Sequence, residues 1–375
     1  MYFKFLKKLT RNFLLVPITT VVALLFVASC IASELNPEGW WFVGLLSLLL
    51  PYLIFLLVFA CIFWLIVKPA YVFIPLLALM IGWRQIAVVF SYHVFSTFHE
   101  EYRAKNSIRI VSWNVGSMYG LSNKRDHKIH DRKEIANTIL GLEPDIICLQ
   151  EFNNSETQGK DANNIALFSE DYPYHFYSKD LNKRDGYYES GSIIFSKFPI
   201  LYAAKIRYPS GISESFIYAD IRCGSDTVRV FNVHLQSYKF SRQNYEDIED
   251  IKNVSDSSIK ASKRLMSKMQ TAYAQRGIQA NIIRSYSDST KFKSVICGDF
   301  NDVPGSFAYF KIRADRQDAF LEKSWGTGRT YYSIAPMLRI DYILPDKNFE
   351  VNQFDIIDEN LSDHLMLVSD LILKK

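Results

Sequence analysis

Cysteine is scarce in this chain and does not cluster. The five cysteines fall at 30, 61, 148, 223 and 297, with no pair at metal-ligand spacing. That excludes a disulfide framework and argues against structural zinc. Cys30 and Cys61 lie in long apolar segments, while Cys148, Cys223 and Cys297 each sit in a short apolar run and read as small residues of buried strands. Internal repeats and low-complexity tracts are missing too, and a composition 49% hydrophobic excludes disorder and a collagen-like fibre. Nor is there a large charge excess, since 43 Lys and Arg face 39 Asp and Glu. Up to Thr97 the charged residues are Lys4, Lys7, Lys8, Arg11, Glu34, Glu38, Lys68 and Arg84, so the remainder of the chain is neutral, with 37 residues of each sign. A strongly basic nucleic-acid-binding domain is thereby excluded.

What the N-terminal quarter has in place of charge is apolar length. Three transmembrane helices are expected within residues 1–95, at about 13–32, 41–67 and 70–92, because a span needs about 20 apolar residues. Trp40 and Trp41 open the second where aromatic belts sit, and Pro51 lies inside it. The third carries Arg84 and Gln85, so that Arg must face protein or snorkel, and a re-entrant segment is the competing reading. Val27-Ala-Ser-Cys30 resembles a lipoprotein cleavage box, but the apolar segments that follow favour a small-residue stretch within a helix. The cluster Lys4, Lys7, Lys8 and Arg11 stays cytoplasmic by the positive-inside rule, and the Glu34/Glu38 loop goes out. With three spans the C-terminal part is extracytoplasmic, on the periplasmic or extracellular face; with two it is cytoplasmic.

A polar linker over 96–106 precedes a domain over 107–375 in which strand-like runs alternate with helical ones, an α/β or α+β class. Strands are expected at 108–114, 145–150, 190–196, 215–223, 227–235, 293–299, 339–345 and 365–373. Gly224-Ser225-Asp226 joins two of them as a hairpin. A long surface helix is expected over 256–286, with Lys260, Lys263, Arg264 and Lys268 as a solvated face and an acidic turn at Glu246, Asp247, Glu249 and Asp250 before it.

The chemistry collects at strand ends, which are rigid platforms for aiming polar groups into a cleft. The runs close on Asn114, on Gln150-Glu151, on Asn232-Val-His234 and on Gly298-Asp299-Phe-Asn301-Asp302. Arg339-Ile-Asp341-Tyr342 opens a later strand, and Ser362-Asp363-His364 precedes the last. Hard oxygen donors from Glu151, Asp299, Asn301 and Asp363 suit Mg²⁺ or Mn²⁺. The glycine at 298 is poor packing material at a strand end unless a ligand approaches there.

This ordered set resembles the endonuclease/exonuclease/phosphatase superfamily, in its deoxyribonuclease-like and sphingomyelinase-like branch, over roughly residues 107–375. The matching motifs are Ser-Trp-Asn114, Cys-Leu-Gln-Glu151, Ser-Gly-Ser-Ile-Ile-Phe-Ser-Lys-Phe-Pro199, Asn-Val-His234-Leu, Gly-Asp299-Phe-Asn301, Arg-Ile-Asp341-Tyr and Ser-Asp363-His364. The resemblance implies a four-layer sandwich, two mixed sheets face to face with helices outside, and a metal-dependent hydrolase of phosphoric esters. It further implies Glu151 as principal metal ligand with Asn114 and Asp363 beside it, and Asp299 and Asn301 on the attacking water. His364, paired with Asp341, would be a base or a cation, and His234 would stabilise the scissile phosphate.

Gly116, where abasic-site enzymes carry an acidic residue, disfavours that role, and the context of His234 favours diesters. A nuclease acting on nucleic acid ranks first. A phospholipid phosphodiesterase of sphingomyelinase type ranks second, because the lipid bilayer holds the site near headgroups. An inactive membrane scaffold ranks third, since every motif position is occupied. The stretches Lys183–Glu189 and Tyr238–Tyr245 are candidate groove walls, and no protein partner is predicted.

Overall fold

The computed structural model describes residues 2–94, 96–121, 125–209, 214–240, 242–252, 258–332 and 337–374. In chain order the helices are α1 (Tyr2–Ala32), α2 (Pro37–Trp40), α3 (Val43–Val67), α4 (Phe73–Ile81), α5 (Trp83–Val89), α6 (Arg125–Gly141), α7 (Arg242–Lys252), α8 (Ser258–Ser289), α9 (Phe307–Arg313) and α10 (Ala319–Lys323). The strands are β1 (Ser91–Tyr92), β2 (Ser107–Asn114), β3 (Ile146–Asn154), β4 (Tyr174–Tyr177), β5 (Leu181–Lys183), β6 (Tyr188–Ser196), β7 (Ile200–Arg207), β8 (Ser215–Cys223), β9 (Asp226–His234), β10 (Lys293–Asp299), β11 (Trp325–Gly326), β12 (Asp341–Pro345), β13 (Phe349–Ile357) and β14 (Met366–Leu373). They fall into two compact units: residues 1–89, 238–277 and 303–310, and the remainder.

In the first unit, α1, α3 and α4 pack through Phe26, Cys30, Leu50, Leu53, Leu57 and Ala78. The helices α1 and α3 are long and apolar enough to cross a membrane. The third apolar segment is not the single helix expected over 70–92: α4 and α5 are bent 69° apart at Gly82, and Ser91–Tyr92 is strand. Polar side chains account for the break. The amide of Gln85 donates to the Cys30 carbonyl (3.1 Å) and to Ser33 Oγ (3.3 Å), and Arg84 meets Glu34 at 2.8 Å, so both are drawn to the end of α1.

The same unit takes in α7 and the first part of α8. Gly44 leaves room for the Tyr273 ring, whose Cδ1 would lie 2.5 Å from a Cβ there, and Asn36 and Pro37 close on Gly277 in the same way. Ser47 Oγ donates to the Gly305 carbonyl at 3.5 Å. The expected long helix is α8, except that 256 and 257 lie outside the described residues. Its basic face is partly engaged: Arg264 pairs with the buried Asp247, and Lys268 donates to the Lys239 carbonyl at 2.7 Å. The expected acidic turn is instead the helix α7, which brings Asp247 against that arginine.

The second unit is the sandwich. One sheet has five strands in the order β12-β10-β9-β8-β7; the other runs β13-β14-β2-β3-β6-β4, with β5 also on β6. The pairs β2–β3 and β9–β10 are parallel and the rest antiparallel, so both sheets are mixed. Between them lies a core drawn from both, with Ile110, Cys148 and Ile194 from one sheet meeting Ile217, Val230 and Cys297 from the other. Ile135, Ala136 and Ile139 of α6 cover the outer face of the larger sheet. On the smaller sheet, Tyr286 from the last part of α8 stacks edge-on against Phe216 at 5.5 Å. Four layers result.

The apolar strands expected from the sequence are present within a few residues, and β1, β4, β5, β7, β11 and β13 are additional. The 96–106 stretch is tied down. Gln353 holds His99 and Tyr102 from its amide, Arg103 pairs with Asp145, and Arg109 donates to the Glu100 carbonyl at 2.9 Å.

Candidate active site

In the smaller sheet His234 ends β9, Asp299 ends β10 and Asp341 opens β12, and the register sets Asp299 opposite both His234 and Asp341. Three adjacent strands therefore deliver one row of polar side chains. In the larger sheet Asn114 ends β2 opposite Gln150 of β3. A bulge in β3 between Leu149 and Phe152 then inserts Glu151, whose backbone takes a left-handed φ of +51°. Bulges re-aim side chains in this way. Asn301, at φ +50°, is the other site residue with left-handed backbone. Its N–H donates to Asp299 Oδ1 at 2.7 Å and its amide to Oδ2 at 3.1 Å, closing a tight polar turn.

The two sheets meet at Asn114, whose amide donates to Glu151 Oε1 at 3.3 Å and to Asp299 Oδ2 at 3.1 Å. His234 Nε2 lies 3.8 Å from an oxygen of each of those carboxylates, is buried, and has no hydrogen-bond partner among the described residues. His364 Nδ1 lies 3.1 Å from Asp341, and its Nε2 faces Asp299 at 3.7 Å. Ligand atoms of Asp299, Asp341 and His364 fall within 4.8 Å of one another. Asp363 is coupled electrostatically to His364 and Glu151, but its carboxylate makes no hydrogen bond to the other site residues.

Electrostatics follow from burying carboxylates beside imidazoles. Burial, reinforced by Asp341, pushes the Asp299 carboxyl up to about 6, against the pull of both histidines. For His364 burial works against the charged form, yet Asp341 and Asp299 outweigh it and raise the ring to about 10. His234 is raised likewise, with burial overcome by Asp299 and Glu151. Asp363 is raised by burial.

A supporting layer was not apparent from the sequence. Ser362 Oγ donates to the Asn114 carbonyl at 2.7 Å, and the Trp113 indole donates to the His364 carbonyl at 2.8 Å. Thr330 Oγ1 accepts from the N–H groups of Ile340 and Asp341, and the Tyr331 ring lies 4.7 Å from that of His364. Directly beneath, the Gln150 amide donates to Asn232 Oδ1 at 2.7 Å, bridging the sheets. Gly298 has a different cause from the ligand approach expected of it. Its φ is +134°, and the Val233 carbonyl of the neighbouring strand occupies the space of a Cβ. Of the two candidate groove stretches, Lys183–Glu189 forms the β5–β6 hairpin. In the other, Tyr238 joins Tyr273 through their hydroxyls at 2.9 Å, while residue 241 lies outside the described residues.

Comparison with known proteins agrees with this geometry. The model of the Endonuclease/Exonuclease/phosphatase family matches residues 111–364. A second model, described only as a domain of unknown function, matches residues 11–89. No curated protein matches the chain. Among solved structures, an endonuclease/exonuclease/phosphatase from Beutenbergia cavernae superposes with a TM-score of 0.50 at 18% identity, over 72% of each chain. The human Nocturnin catalytic domain with bound sulfate anion gives 0.49 at 19%, over 73% of this chain and 97% of that one. Sphingomyelinase C from Streptomyces griseocarneus gives 0.45 at 17%, over 70% and 99%.

Proposed function

Because the chain belongs to the endonuclease/exonuclease/phosphatase family, whose members are generally phosphoester hydrolases, we propose that it is a membrane-anchored, divalent-metal-dependent phosphodiesterase, and specifically a nuclease. The observation that carries this reading is the convergence of Asn114, Glu151, His234, Asp299, Asn301, Asp341 and His364, from six separate stretches of chain, on one polar cluster that is mostly buried and open at Glu151.

Enzymes of the family typically use a divalent metal. The donor set fits one: Glu151 offers a carboxylate 44% exposed beside the amide of Asn114, the unpartnered His234 Nε2 stands 3.8 Å away, and all the oxygens are hard. We assign Glu151, Asn114 and Asp363 as ligands of Mg²⁺ or Mn²⁺. When bound, the cation supplies Lewis-acid stabilisation of the phosphoryl oxygens. Asp299, fixed by both donors of Asn301, holds the attacking water in line and takes its proton. His364, oriented by Asp341, and His234 present N–H groups to the charge that builds on the phosphoryl oxygens.

We place the catalytic domain at 107–375, after a membrane region over 1–95 and a connecting stretch over 96–106. For that domain we keep the extracytoplasmic location that follows when the third apolar segment spans. Tyr273, Gly277 and Gly305 pack against Gly44, Pro37 and Leu50, close to the Glu34/Glu38 loop and remote in sequence from the basic N-terminus. Arg84 reaches the same end through Glu34.

A phospholipid phosphodiesterase is the second reading, favoured by the apolar helices that tether the site near headgroups. Full-length protein in detergent, given Mg²⁺ or EDTA with plasmid DNA, RNA and choline- or inositol-headgroup lipids, separates the two. Metal-dependent cutting of nucleic acid is expected. Cleavage of lipid alone would move the assignment to the second reading. Asp299→Asn and His364→Ala are expected to lose turnover by at least about 10²-fold with the fold retained, and wild-type turnover in either would refute the site.

A further inference from the structure

A cavity of about 270 Å³ adjoins the site, with Tyr119, Lys128, Arg132, Asn153, Asn154 and Tyr188 in its walls. Two of those walls continue the site's own strands: Tyr119 follows the turn after Asn114, and Asn153 and Asn154 extend β3 beyond Glu151.

Arg132 decides what the cavity takes. It is 5% exposed; its Nε donates to Asn164 Oδ1 at 2.6 Å and one terminal nitrogen to the Asn163 carbonyl at 2.8 Å. The other terminal nitrogen has no hydrogen-bond partner among the described residues. Elsewhere in the sandwich, Arg109, Arg229 and Arg339 each meet a carboxylate, at 2.7, 2.6 and 2.6 Å, while Arg316, 7% exposed, has its terminal nitrogens taken up by oxygens of Ser287 and Ser294. Among the described residues no carboxylate comes within salt-bridge range of Arg132, although Asp161 acts on it from further off. A guanidinium cannot shed its proton, and with Asp161 as its nearest carboxylate beyond salt-bridge range this buried cation is left only partly compensated, so it is set to receive an anion. Lys128, with Nζ 4.6 Å above the Tyr119 ring, adds a second cation on the same side. Two cations against the single carboxylate of Asp161 repel a quaternary ammonium headgroup and attract phosphate.

We infer that this cavity binds a second phosphate of the substrate, the neighbour of the scissile one along a nucleic-acid strand. The inference rests on the phosphodiesterase reading and gives it a substrate class. In a chain whose catalytic part is neutral overall, it also supplies a local site for backbone charge.

Binding of a short fluorescein-labelled DNA strand to the full chain in detergent with EDTA, followed by anisotropy across a salt series, tests the inference without turnover. Lys128→Ala is expected to weaken binding several-fold and to lower the slope of log affinity against log salt by about 1. Arg132→Gln is expected to weaken it more. Lys128→Ala keeps the test decisive if loss of the Asn163 and Asn164 contacts unfolds the arginine variant. In turnover, the loss caused by Lys128→Ala on the oligonucleotide should exceed the loss on bis(p-nitrophenyl) phosphate, which has no second phosphate. Unchanged affinity and salt slope, or equal losses on the two substrates, would overturn the inference. So would an inositol polyphosphate that displaces the strand at lower phosphate concentration than unlabelled DNA does. If wild type cleaves neither substrate, the phosphodiesterase reading fails, and the anisotropy arm still decides the cavity.

Discussion

Replacing Gly298 by alanine tests whether the geometry of the site is built into the sheet beneath it. Gly298 pairs with Val233 across the parallel β9–β10 ladder, one residue before Asp299. Its φ of +134° is a region that side-chain-bearing residues rarely adopt, at a cost of about 1–3 kcal/mol. A Cβ would also overlap the Val233 carbonyl oxygen and lie 2.9 Å from the carbonyl carbon and 3.0 Å from the nitrogen of that residue. β9 is hydrogen-bonded to β8 on its other side and cannot retreat. Parting the strands forfeits one or two ladder hydrogen bonds at about 1 kcal/mol each. Together the expected destabilisation is about 2–5 kcal/mol, much of a total usually of about 5–15 kcal/mol. Gly224→Ala is the control. It has φ +66° in the β8–β9 turn with nothing within 4 Å of a Cβ, so only about 1–2 kcal/mol of backbone strain applies. Denaturant unfolding of the full chain in detergent, with turnover measured alongside, compares the two. Equal midpoints for both variants, with turnover retained in Gly298→Ala, would refute the reasoning.

Two further outcomes are expected. Asp341→Asn removes the charge that orients His364 at 3.1 Å, and should lower turnover about 10²–10⁴-fold while the unfolding midpoint stays close to wild type. Gly44→Leu places a side chain where the Tyr273 ring lies, 2.5 Å from the Cβ position, at a cost of about 1–3 kcal/mol. It should open α8 to limited trypsin digestion, and a wild-type digestion pattern would count against the packing described.

The sequence was most readable where strands are buried on both faces. Ser215–Cys223 and Lys293–Asp299 are buried along nearly their whole length, and their expected bounds coincide with the structure. It was least readable at edges. β7 and β13 are edge strands with partly exposed residues, and α6 is rich in charge, with Ile135, Ala136 and Ile139 as its main buried contacts. The polar strand ends of the site were visible because carboxylates, amides and imidazoles closing apolar runs are conspicuous. Their supports were not. Ser362, Thr330 and Tyr331 are ordinary loop residues until folding brings them against Asn114, Asp341 and His364, and nothing in their spacing announces it. The role of Gly298 was misjudged for a related reason, because a neighbouring strand's carbonyl leaves no trace in local sequence.

The first unit also constrains the order in which the chain is assembled. Its helices α1 and α3 emerge early in synthesis, yet one of their partners lies far downstream, with Ser47 and Gly305 separated by 258 positions. Contacts so distant in sequence form late, since loop closure must precede them. During elongation α3 therefore waits with Gly44 and Ser47 uncovered until α8 and the segment after Asp302 have been made. The sandwich strands β2 to β10 are synthesised in that interval, between the two halves of one packing surface. Truncation before Gly305 would leave apolar helices that lack their mate, a species open to aggregation and to proteolytic quality control.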